Sequence, residues 1–467
     1  MFSLKKAFRE IPMFFLIFLL PVSGCGITNN DITPNEARSI AEEAYVFAFP
    51  MLENYRSMQI QAILPQKFNH FKHTTKLAGP DDTDIVRENN DTLYSALWLD
   101  LRAEPVIITV PPIADRYYSF QLIDLYTHNF GYVGTRTTGT TARTFAIAGP
   151  NWKSEKPAGV DDLFRSESSF LLCLVRTGVN IDLPSDYEKV LEIQKQYAVK
   201  PLSAFLSLPA PEAHPMDIFP VFDQETADSP GFITYVNFLL GQLEVHSSEK
   251  KLIEKFGRID IGPDFHFDET KFSPAVLTAI QEGIDSAREQ IQGCDSLLGE
   301  IKNSWILTER IFGNREQMQG EYLTRAGAAR LGLYGLDLEE AYYPSSSFTK
   351  DGKRLNAYEN DYVLNFPPGS LPPVKELGFW SITMYNMPDQ RMVHNSINRY
   401  SIGDRTPGLK YDSDGSLKIY LQRNIPKEGA ANWLPTPDGP FSLTLRMYLP
   451  QEKALDPLYA PPLVITD

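Results

Sequence analysis

Apolar positions near the N-terminus recur at the spacing of an α-helix. Thr33 is a favourable N-cap, Pro34 takes the first helical position and Glu36 completes a capping box. The apolar residues that share one face of this segment are Ala37, Ile40, Ala41, Ala44, Phe47 and Ala48. The pattern predicts an amphipathic helix that packs against a neighbour and ends or kinks at Pro50.

From about residue 85 to residue 180, apolar and polar residues alternate in short runs. These runs are 93–99, 106–110, 118–122, 144–148 and 171–175. Turn residues separate them, a spacing typical of a β-sandwich. Ser185 and Glu188 then form a further capping-box pattern, which predicts a return to helix.

The rest of the chain has helical and then extended patterns. Residues 226–335 have helical periodicity, including a helix capped by Ser273, and short strands resume at Leu338. The predicted organisation is a signal peptide (1–24), a tether (25–32), an N-terminal helical segment (33–84), a first β-sandwich domain (85–200), a proline-rich and helical region (201–336) and a second β-sandwich domain (337–467).

Two stretches that lie far apart in the chain resemble each other. One contains PPIADRYYSFQLID and the other PPVKELGFWSITMYN; with one inserted residue, Ser119 matches Ser381. Asp124 then matches Asn386, and both stretches lead on to an Asn-Trp pair, at 151–152 and 432–433. The spacing is too large for a solenoid, whose repeats span roughly 20 to 50 residues. The similarity favours two related β-modules, although alternating strands after Pro-Pro resemble one another in any case.

Length and composition restrict the class of protein. At 467 residues the chain is longer than one hydrophobic core supports, so two or more domains are expected. Its 43% hydrophobic and 22% charged residues are ordinary for a globular protein. The net charge of -15 opposes contact with a phosphate backbone, so no nucleic acid partner is predicted.

The N-terminus has the pattern of a secretory signal peptide. Lys5, Lys6 and Arg9 precede the apolar run IPMFFLIFLLPV, which leads to VSGC. This end resembles a bacterial lipobox, which implies cleavage before Cys25, lipid attachment to that cysteine and the membrane as a partner. An ordinary signal peptide or anchor with an incidental cysteine is the alternative. Gly26 follows where an inner-membrane retention signal would place Asp, so a Gram-negative source would favour the outer membrane, facing the periplasm.

The two remaining cysteines, Cys173 and Cys294, could pair in an oxidising compartment. Cys173 lies in the apolar run FLLCLV and Cys294 in a helical pattern, so two buried free thiols are at least as consistent with the sequence. Neither context indicates a catalytic cysteine.

A polar cluster opens the first strand-like run, RENNDTLYSALWLDL. An Asx turn that starts a strand explains most of it, because Asn and Asp side chains bond nearby amides. Alternatively, Asp91 and Tyr94 project into a ligand site at the end of a sandwich. A fainter similarity, YENDYVLNF at 358–366, precedes the second Pro-Pro stretch and favours the architectural explanation.

Two further segments combine carboxylate, imidazole, amide and guanidinium groups, which suit acid-base chemistry or an anionic ligand. The residues of the first segment are Asp124, His128, Asn129 and Arg136. Those of the second are His394, Asn395 and Arg399. A hairpin rim whose polar groups bond one another is the alternative for the first segment.

A metal site is indicated only weakly, by His70 and His73 ahead of several aspartates. No metal is predicted, because no third ligand has a recognised spacing, and no cofactor is predicted. The sequence has no G-x-S-x-G, H-E-x-x-H, phosphate-loop or strand-linked G-x-G-x-x-G motif. A serine hydrolase with a dispersed triad remains open.

Several blocks resemble a known bacterial family: EAYVFAFPM, NNDTLYSALWLDL, YYSFQLIDLYTHNFGYVGTRTTG, RAGAARLGLYGL, EAYY, FWSITMYN, NRYSIG, NWLPTP and FSLTLRMYLPQ. This is the family of paired domains of unknown function numbered 1254 (N-terminal) and 1214 (C-terminal). The resemblance implies an α+β fold with two related β-sandwich, jelly-roll-like domains and flanking and connecting helices. The family has no established reaction, so the resemblance implies no catalytic residue.

Two hypotheses for function follow. The first is an envelope lipoprotein that binds, and in one version transforms, a small organic or sugar-like molecule in a cleft at the sandwich ends. The candidate ligand-binding residues are Asp91, Tyr94, Asp124, Asn129, Arg136, Asn395 and Arg399. The second is a non-enzymatic surface or scaffold protein that binds another envelope component.

Overall fold

The structure is a computed structural model that describes residues 32–82, 86–180 and 183–466. The predicted signal peptide and Cys25 lie outside these ranges. The α-helices are α1 Pro34–Met58, α2 Pro184–Gln194, α3 Leu202–Leu206, α4 Gln224–Ala227, α5 Phe232–Leu240, α6 Lys250–Phe256, α7 Pro274–Gly293, α8 Arg315–Met318 and α9 Tyr322–Gly332. The predicted N-caps of two of them are confirmed: Thr33 accepts from the amide of Glu36 at 3.3 Å, and Ser273 from that of Val276 at 3.3 Å.

Helix α1 continues through Pro50, so the predicted end of the helix at this proline is wrong. A proline inside a helix loses one backbone hydrogen bond and crowds the preceding turn. Here α1 is buried on several sides, by α5, α7 and α9 and by the sheet that holds Trp98. Gly283 of α7 allows the closest approach, because a Cβ there would collide with the carbonyl oxygen of Arg38. Burial of apolar side chains on both sides of Pro50 offsets the lost bond.

The first β-domain is a sandwich of two sheets. Its strands are β1 Lys72–His73, β2 Thr92–Asp100, β3 Val106–Val110, β4 Tyr118–Ile123, β5 Asn129–Gly134, β6 Arg143–Ala148, β7 Asp162–Arg165, β8 Phe170–Gly178 and β9 Ala198–Pro201. The sheets have the orders β1-β2-β8-β4-β5 and β7-β6-β3-β9. Alternate residues such as Leu97, Phe120 and Ile147 fill the core between them. Tyr94, Ala96 and Trp98 face the opposite way, as the alternation predicts.

The second β-domain is a sandwich of the same kind. Its strands are β10 Gly299–Lys302, β11 Trp305–Thr308, β12 Ala341–Tyr342, β13 Ser345–Ser346, β14 Tyr362–Phe366, β15 Val374–Asn386, β16 Ser401–Gly403, β17 Leu417–Gln422, β18 Trp433–Pro435, β19 Phe441–Pro450 and β20 Val464–Thr466. One sheet has the order β10-β11-β13-β19-β15-β16, with β12 also on β19, and the other β18-β17-β14-β20. The predicted α+β fold with two β-sandwich domains is confirmed.

The two domains correspond strand by strand. The order β7-β6-β3-β9 repeats as β18-β17-β14-β20, and in both sheets the first pair is parallel. In the other sheet β8 corresponds to β19, β4 to β15 and β5 to β16. The predicted match of Ser119 with Ser381 is confirmed by the strand register. Ser119 lies opposite Arg176 on one neighbouring strand and Gly134 on the other. Ser381 likewise lies opposite Arg446 and Gly403.

Two parts of the predicted repeat are wrong. Trp433 lies in β18 and is buried, whereas Trp152 lies in a turn before β7, so the two Asn-Trp pairs are not equivalent. The 358–366 segment ends in β14, which corresponds to β3 and not to the strand that follows Asp91. In both cases, short segments of similar sequence occupy positions in the two domains that are not equivalent.

Between the sandwiches, the predicted helical region also contains strands. The hairpin β10–β11 extends the sheet of the second domain, although it lies within 201–336. Pairing with β13 and burial of Trp305 in the domain core override the helical periodicity of its surroundings. Cys173 and Cys294 are free thiols buried in separate clusters, so the two cysteines do not pair.

Candidate functional site

Equivalent strands of the two domains carry matched polar and aromatic residues. Backbone bonds fix the register: the amide of Val179 donates to the carbonyl oxygen of Asp91 at 3.1 Å, and that of Leu449 to Glu340 at 2.9 Å. The matched pairs, first domain before second, are Asp91 and Glu340, Tyr94 and Tyr343, Tyr117 and Phe379, Ser119 and Ser381, Arg136 and Arg405, and Arg176 and Arg446. These twelve residues, with Tyr448, are here called the interdomain cluster.

Ion pairs cross between the domains in a reciprocal way. Arg136 of the first domain pairs with Glu340 of the second, and Arg405 of the second lies 3.6 Å from a carboxylate oxygen of Asp91 in the first. The rings of Tyr117 and Phe379, which are equivalent residues, contact each other edge to face with centroids 6.2 Å apart. In a twofold-symmetric pair, each partner uses the same residues to contact the other. The two domains exchange contacts in this way, so they are related by a pseudo-twofold axis near those rings.

Asp91 takes part in this interface and in the turn that was predicted. The side chain of Asn89 forms the Asx turn, accepting from the Asp91 amide at 2.6 Å. The Asp91 carboxylate is thereby free to reach the other domain, where it accepts from the Ser381 hydroxyl at 2.6 Å. A small cleft beside it, with about 30 Å³ of space, is lined in part by Asn90, Asp91 and Arg405. That space suits one or two waters or the end of a larger ligand.

The first half-site, consisting of Tyr117, Ser119 and Arg176, has unused hydrogen-bonding groups. The hydroxyl groups of Tyr117 and Ser119 are buried without a partner among the described residues. Arg176 donates to Gln121 Oε1 at 2.5 Å and to the carbonyl oxygen of Tyr334 at 2.8 Å. A guanidinium has five N–H donors, so these bonds occupy only part of its capacity.

The second half-site, consisting of Phe379, Ser381 and Arg446, is more nearly satisfied. Ser381 donates to Asp91 as described, and Phe379 has no hydroxyl. Arg446 donates to Thr383 Oγ1 and to Tyr385 Oη, both at 2.8 Å. It also donates to the carbonyl oxygens of Arg87 at 2.9 Å and Glu88 at 3.5 Å. The two half-sites share a framework and differ in how far their polar groups are used.

Three tyrosines of the cluster, Tyr117, Tyr343 and Tyr448, stay protonated. Burial raises the pKa of Tyr117 and of Tyr448 well above the ordinary phenol value, and it also raises the pKa of Tyr343. A neutral phenol can donate its proton in a hydrogen bond. Tyr94 and Tyr343 are half-buried, whereas Tyr117 and Tyr448 are buried. Arg176 lies over the Tyr94 ring, 5.2 Å from its centroid.

Asn129 joins this cluster indirectly. It accepts from Gln121 Nε2 at 2.7 Å and donates to Asp337 Oδ1 at 2.7 Å. Because Gln121 in turn accepts from Arg176, Asn129 helps to orient the arginine. Burial raises the pKa of Asp337, and the hydrogen bond from Asn129 opposes that rise.

Asp124 forms a separate buried pair with His128. Its Oδ1 accepts from the His128 amide at 2.8 Å, and its Oδ2 lies 3.4 Å from His128 Nδ1. Burial lowers the pKa of His128 to about 4, and the charge of Arg325 adds to this, while Asp124 opposes it. The imidazole is therefore neutral at pH 7.

The other predicted candidates bond mainly to their own surroundings. Asn395 bonds backbone groups of its loop, including the carbonyl oxygen of Arg399 at 2.8 Å. Arg399 donates to backbone carbonyls that include Ala430 at 2.6 Å. His70 Nδ1 lies 2.7 Å from the carbonyl oxygen of Phe68. Their predicted ligand roles stay predictions.

The same holds for the second histidine of the weak metal prediction. His73 Nδ1 lies 2.7 Å from Ser95 Oγ, and burial lowers the pKa of this imidazole. Within the ranges that the structure describes, no group of three or more His, Cys, Asp or Glu side chains is placed to hold a metal ion.

Several residues of the cluster were missed from sequence. An arginine in an otherwise apolar strand was one signal, present in FLLCLVRTG for Arg176 and in FSLTLRMYL for Arg446. Another was the shared pattern GTRTTG and GDRTPG, which begins at Gly134 and Gly403 and carries Arg136 and Arg405. Glu340 and Tyr343 had no such signal, because their equivalence depends on the register of short strands.

Comparison with known proteins agrees with this two-domain arrangement. The family described as Protein of unknown function (DUF1254) matches residues 68–201, and that described as Protein of unknown function (DUF1214) matches residues 340–452. The chain belongs to the family with these paired domains. The DUF1254 match contains the first half-site, and the DUF1214 match contains the second.

A solved structure shares this fold. A crystal structure of the VPA0106 protein from Vibrio parahaemolyticus is 27% identical in sequence, with a TM-score of 0.74 over 92% of this chain and 100% of its own. An uncharacterized protein from Burkholderia cenocepacia is 12% identical, with a TM-score of 0.42 over 91% of this chain and 88% of its own. No protein of curated function matches the sequence.

Proposed function

We propose that this DUF1254–DUF1214 protein binds a small organic molecule between its two β-sandwich domains, at the interdomain cluster. The observation that carries the proposal is that two buried hydroxyls, those of Tyr117 and Ser119, have no hydrogen-bond partner in the part of the chain that the structure describes. Buried polar groups in folded proteins are nearly always hydrogen-bonded, so unused ones next to a buried arginine indicate a missing partner. Partly exposed Tyr94 and Tyr343 offer ring faces for the body of such a molecule.

The cluster supports binding more clearly than it supports a reaction. Its contributions are fixed guanidinium charges, protonated phenols and hydroxyl donors. Across the domains, the Ser381 hydroxyl donates its proton to the Asp91 carboxylate at 2.6 Å. We therefore assign no reaction to the site.

A ligand screen tests the proposal. Thermal unfolding of the mature protein is followed with a library of sugars, sugar acids and aromatic acids, and a molecule that binds the native state raises the midpoint. The hits are repeated on Ser119→Ala, with Ser185→Ala, an exposed serine of α2, as the matched control. Stabilisation that weakens in Ser119→Ala alone supports the proposal. Stabilisation that is the same in Ser119→Ala and the wild type would overturn the proposed site. Absence of any stabilising molecule, together with capture of an envelope protein, would overturn the proposal in favour of a scaffold role.

We also propose that the protein is a lipoprotein anchored through Cys25, favouring the outer membrane and the periplasmic side. The support is the lipobox-like sequence and the short stretch of sequence between Cys25 and Pro34, where α1 begins. Among the described helices, none is long and apolar enough to span a bilayer. Cys25→Ser is expected to abolish labelling by radioactive palmitate and to leave the precursor uncleaved at this site. Cys294→Ser is the control, and labelling that persists in Cys25→Ser would refute the anchor.

A further inference from the structure

The buried charge of the first half-site points to the chemical class of the ligand. We propose that the ligand is a small organic anion whose carboxylate binds Arg176 together with the hydroxyls of Ser119 and Tyr117. This inference rests on the proposed function and adds the ligand's charge and the group that is recognised.

The first argument is the charge of Arg176 itself. An arginine side chain stays protonated in a protein, and a buried charge is costly unless an opposite charge or several hydrogen bonds compensate it. Arg176 is 5% exposed and donates to two neutral oxygens, those of Gln121 and Tyr334. No described carboxylate forms an ion pair with it. An anionic ligand would supply the missing countercharge.

The second argument is that nearby carboxylates already have partners. Glu340, which is 1% exposed, pairs with Arg136, and Asp91 is shared by Ser381 and Arg405. Neither forms an ion pair with Arg176. The reciprocal ion pairs therefore neutralise their own charges and leave the guanidinium of the first half-site available.

The third argument is the position of the unused donors. Ser119 and Arg176 are directly opposite each other on neighbouring strands, so their side chains project from the same face of the sheet. Tyr117 precedes Ser119 by two residues and projects from that face as well. Two hydroxyl donors and a guanidinium on one face match the acceptor-only character of a carboxylate.

The half-sites themselves provide a precedent for this geometry. In the second half-site, the serine equivalent to Ser119 already holds a carboxylate, since Ser381 donates to Asp91 at 2.6 Å. The first half-site lacks such a bond, because Glu340 is held by Arg136 and no described residue is a hydrogen-bond partner of the Ser119 hydroxyl. A ligand carboxylate at Ser119 would reproduce the interaction that the protein makes internally on the other side.

The test compares acids with uncharged molecules of the same shape. Binding of D-galacturonate and D-galactose, and of benzoate and benzyl alcohol, is measured by isothermal titration with the mature protein, with inorganic phosphate and sulfate as separate competitors. At least one acid is expected to bind at least tenfold more tightly than its uncharged counterpart. The Ser119→Ala/Tyr117→Phe double variant is expected to weaken that acid at least tenfold, because each lost bond is to a charged group.

The double variant also separates binding from folding. Neither hydroxyl has a hydrogen-bond partner among the described residues, so the midpoint of thermal unfolding of the double variant is expected to stay unchanged or to rise. Equal binding of galactose and galacturonate, lost in the double variant, would overturn the anion while preserving the interdomain ligand site. Displacement of the acid by millimolar phosphate or sulfate would overturn the specific role of a carboxylate. Absence of binding by all four probes would overturn the inference, whereas the proposed function depends on the wider library screen.

Discussion

The two half-sites are built from the same strands in the same register, but their polar groups are used differently. In the second, Ser381 and Arg446 are engaged within the protein, and Phe379 carries no hydroxyl. In the first, the Ser119 hydroxyl has no partner among the described residues, and the two hydrogen bonds of Arg176 use only part of its five N–H donors. The same arrangement of strands thus holds polar groups that are hydrogen-bonded within the protein in the second half-site, and polar groups that are partly unused in the first. Unused buried donors, more than similarity of fold, indicate where to look for a ligand.

The largest expected loss of stability comes from breaking the two reciprocal ion pairs in turn. Arg136→Met leaves the buried carboxylate of Glu340 without its partner, which costs about 3 to 5 kcal/mol for a buried pair. Arg405→Met removes a longer contact of 3.6 Å and leaves Asp91 bonded to Ser381, so its cost is expected to be about 1 to 2 kcal/mol. Urea unfolding of both variants and the wild type gives the ranking. Equal losses would show that the two pairs are equivalent in energy as well as in position.

A second difference concerns the turns that follow the equivalent strands β4 and β15. In the first domain, Asp124 holds the turn together with His128, whose pKa is lowered to about 4 by burial. In the second, Asn386 accepts from the Arg391 amide at 2.8 Å. Asp124 and Asn386 are the matched residues of the two turns. Of these two, only Asp124 bonds a residue with a buried imidazole, His128.

This difference predicts a pH dependence. Because the folded-state pKa of His128 lies below its ordinary value of 6.5, the unfolded chain binds a proton between pH 6.5 and pH 4 that the native protein does not. The stability contribution is present above pH 6.5 and is lost as the pH falls towards 4, by roughly 3 kcal/mol. His128→Gln should flatten the loss of urea resistance between pH 7 and pH 4.5. An identical pH profile in variant and wild type would contradict this assignment.

The smallest expected difference separates the two serines. Ser381→Ala removes a charge-assisted hydrogen bond to buried Asp91 and should destabilise the protein by about 1.5 to 3 kcal/mol at most. Ser119→Ala removes a hydroxyl without a described partner and should be neutral or slightly stabilising. The free energies of unfolding of these two variants compare the half-sites directly. A substantial loss of stability in Ser119→Ala would mean that this hydroxyl is already satisfied in the free protein.

Sequence periodicity predicted most of the architecture, because local alternation and capping act within a few residues. The strand runs of the first domain and the N-caps Thr33 and Ser273 are examples. The hairpin β10–β11 escaped prediction, since its strands are defined by pairing with distant β13. Burial on several sides likewise carries α1 through Pro50, and no short-range pattern contains that information.

Prediction of the candidate site was less complete for a related reason. Asp91, Tyr94 and Arg136 were found as polar residues at strand ends, and they lie in the cluster. Their partners Ser381, Glu340 and Arg405 come from the other domain, and the pairing depends on how the two sandwiches meet. Polarity in one segment indicates that a residue needs a partner, whereas only the assembled fold identifies the partner.

Hydrogen exchange tests the central claim, an organic ligand at the interdomain cluster, most directly. Exchange of backbone amides is followed by mass spectrometry with and without a saturating concentration of the best-binding molecule from the screen. Added protection is predicted in peptides covering 117–136 and 340–343, with little change in the loop 395–399, whose side chains bond their own backbone. Protection confined to segments outside the cluster would contradict the claim.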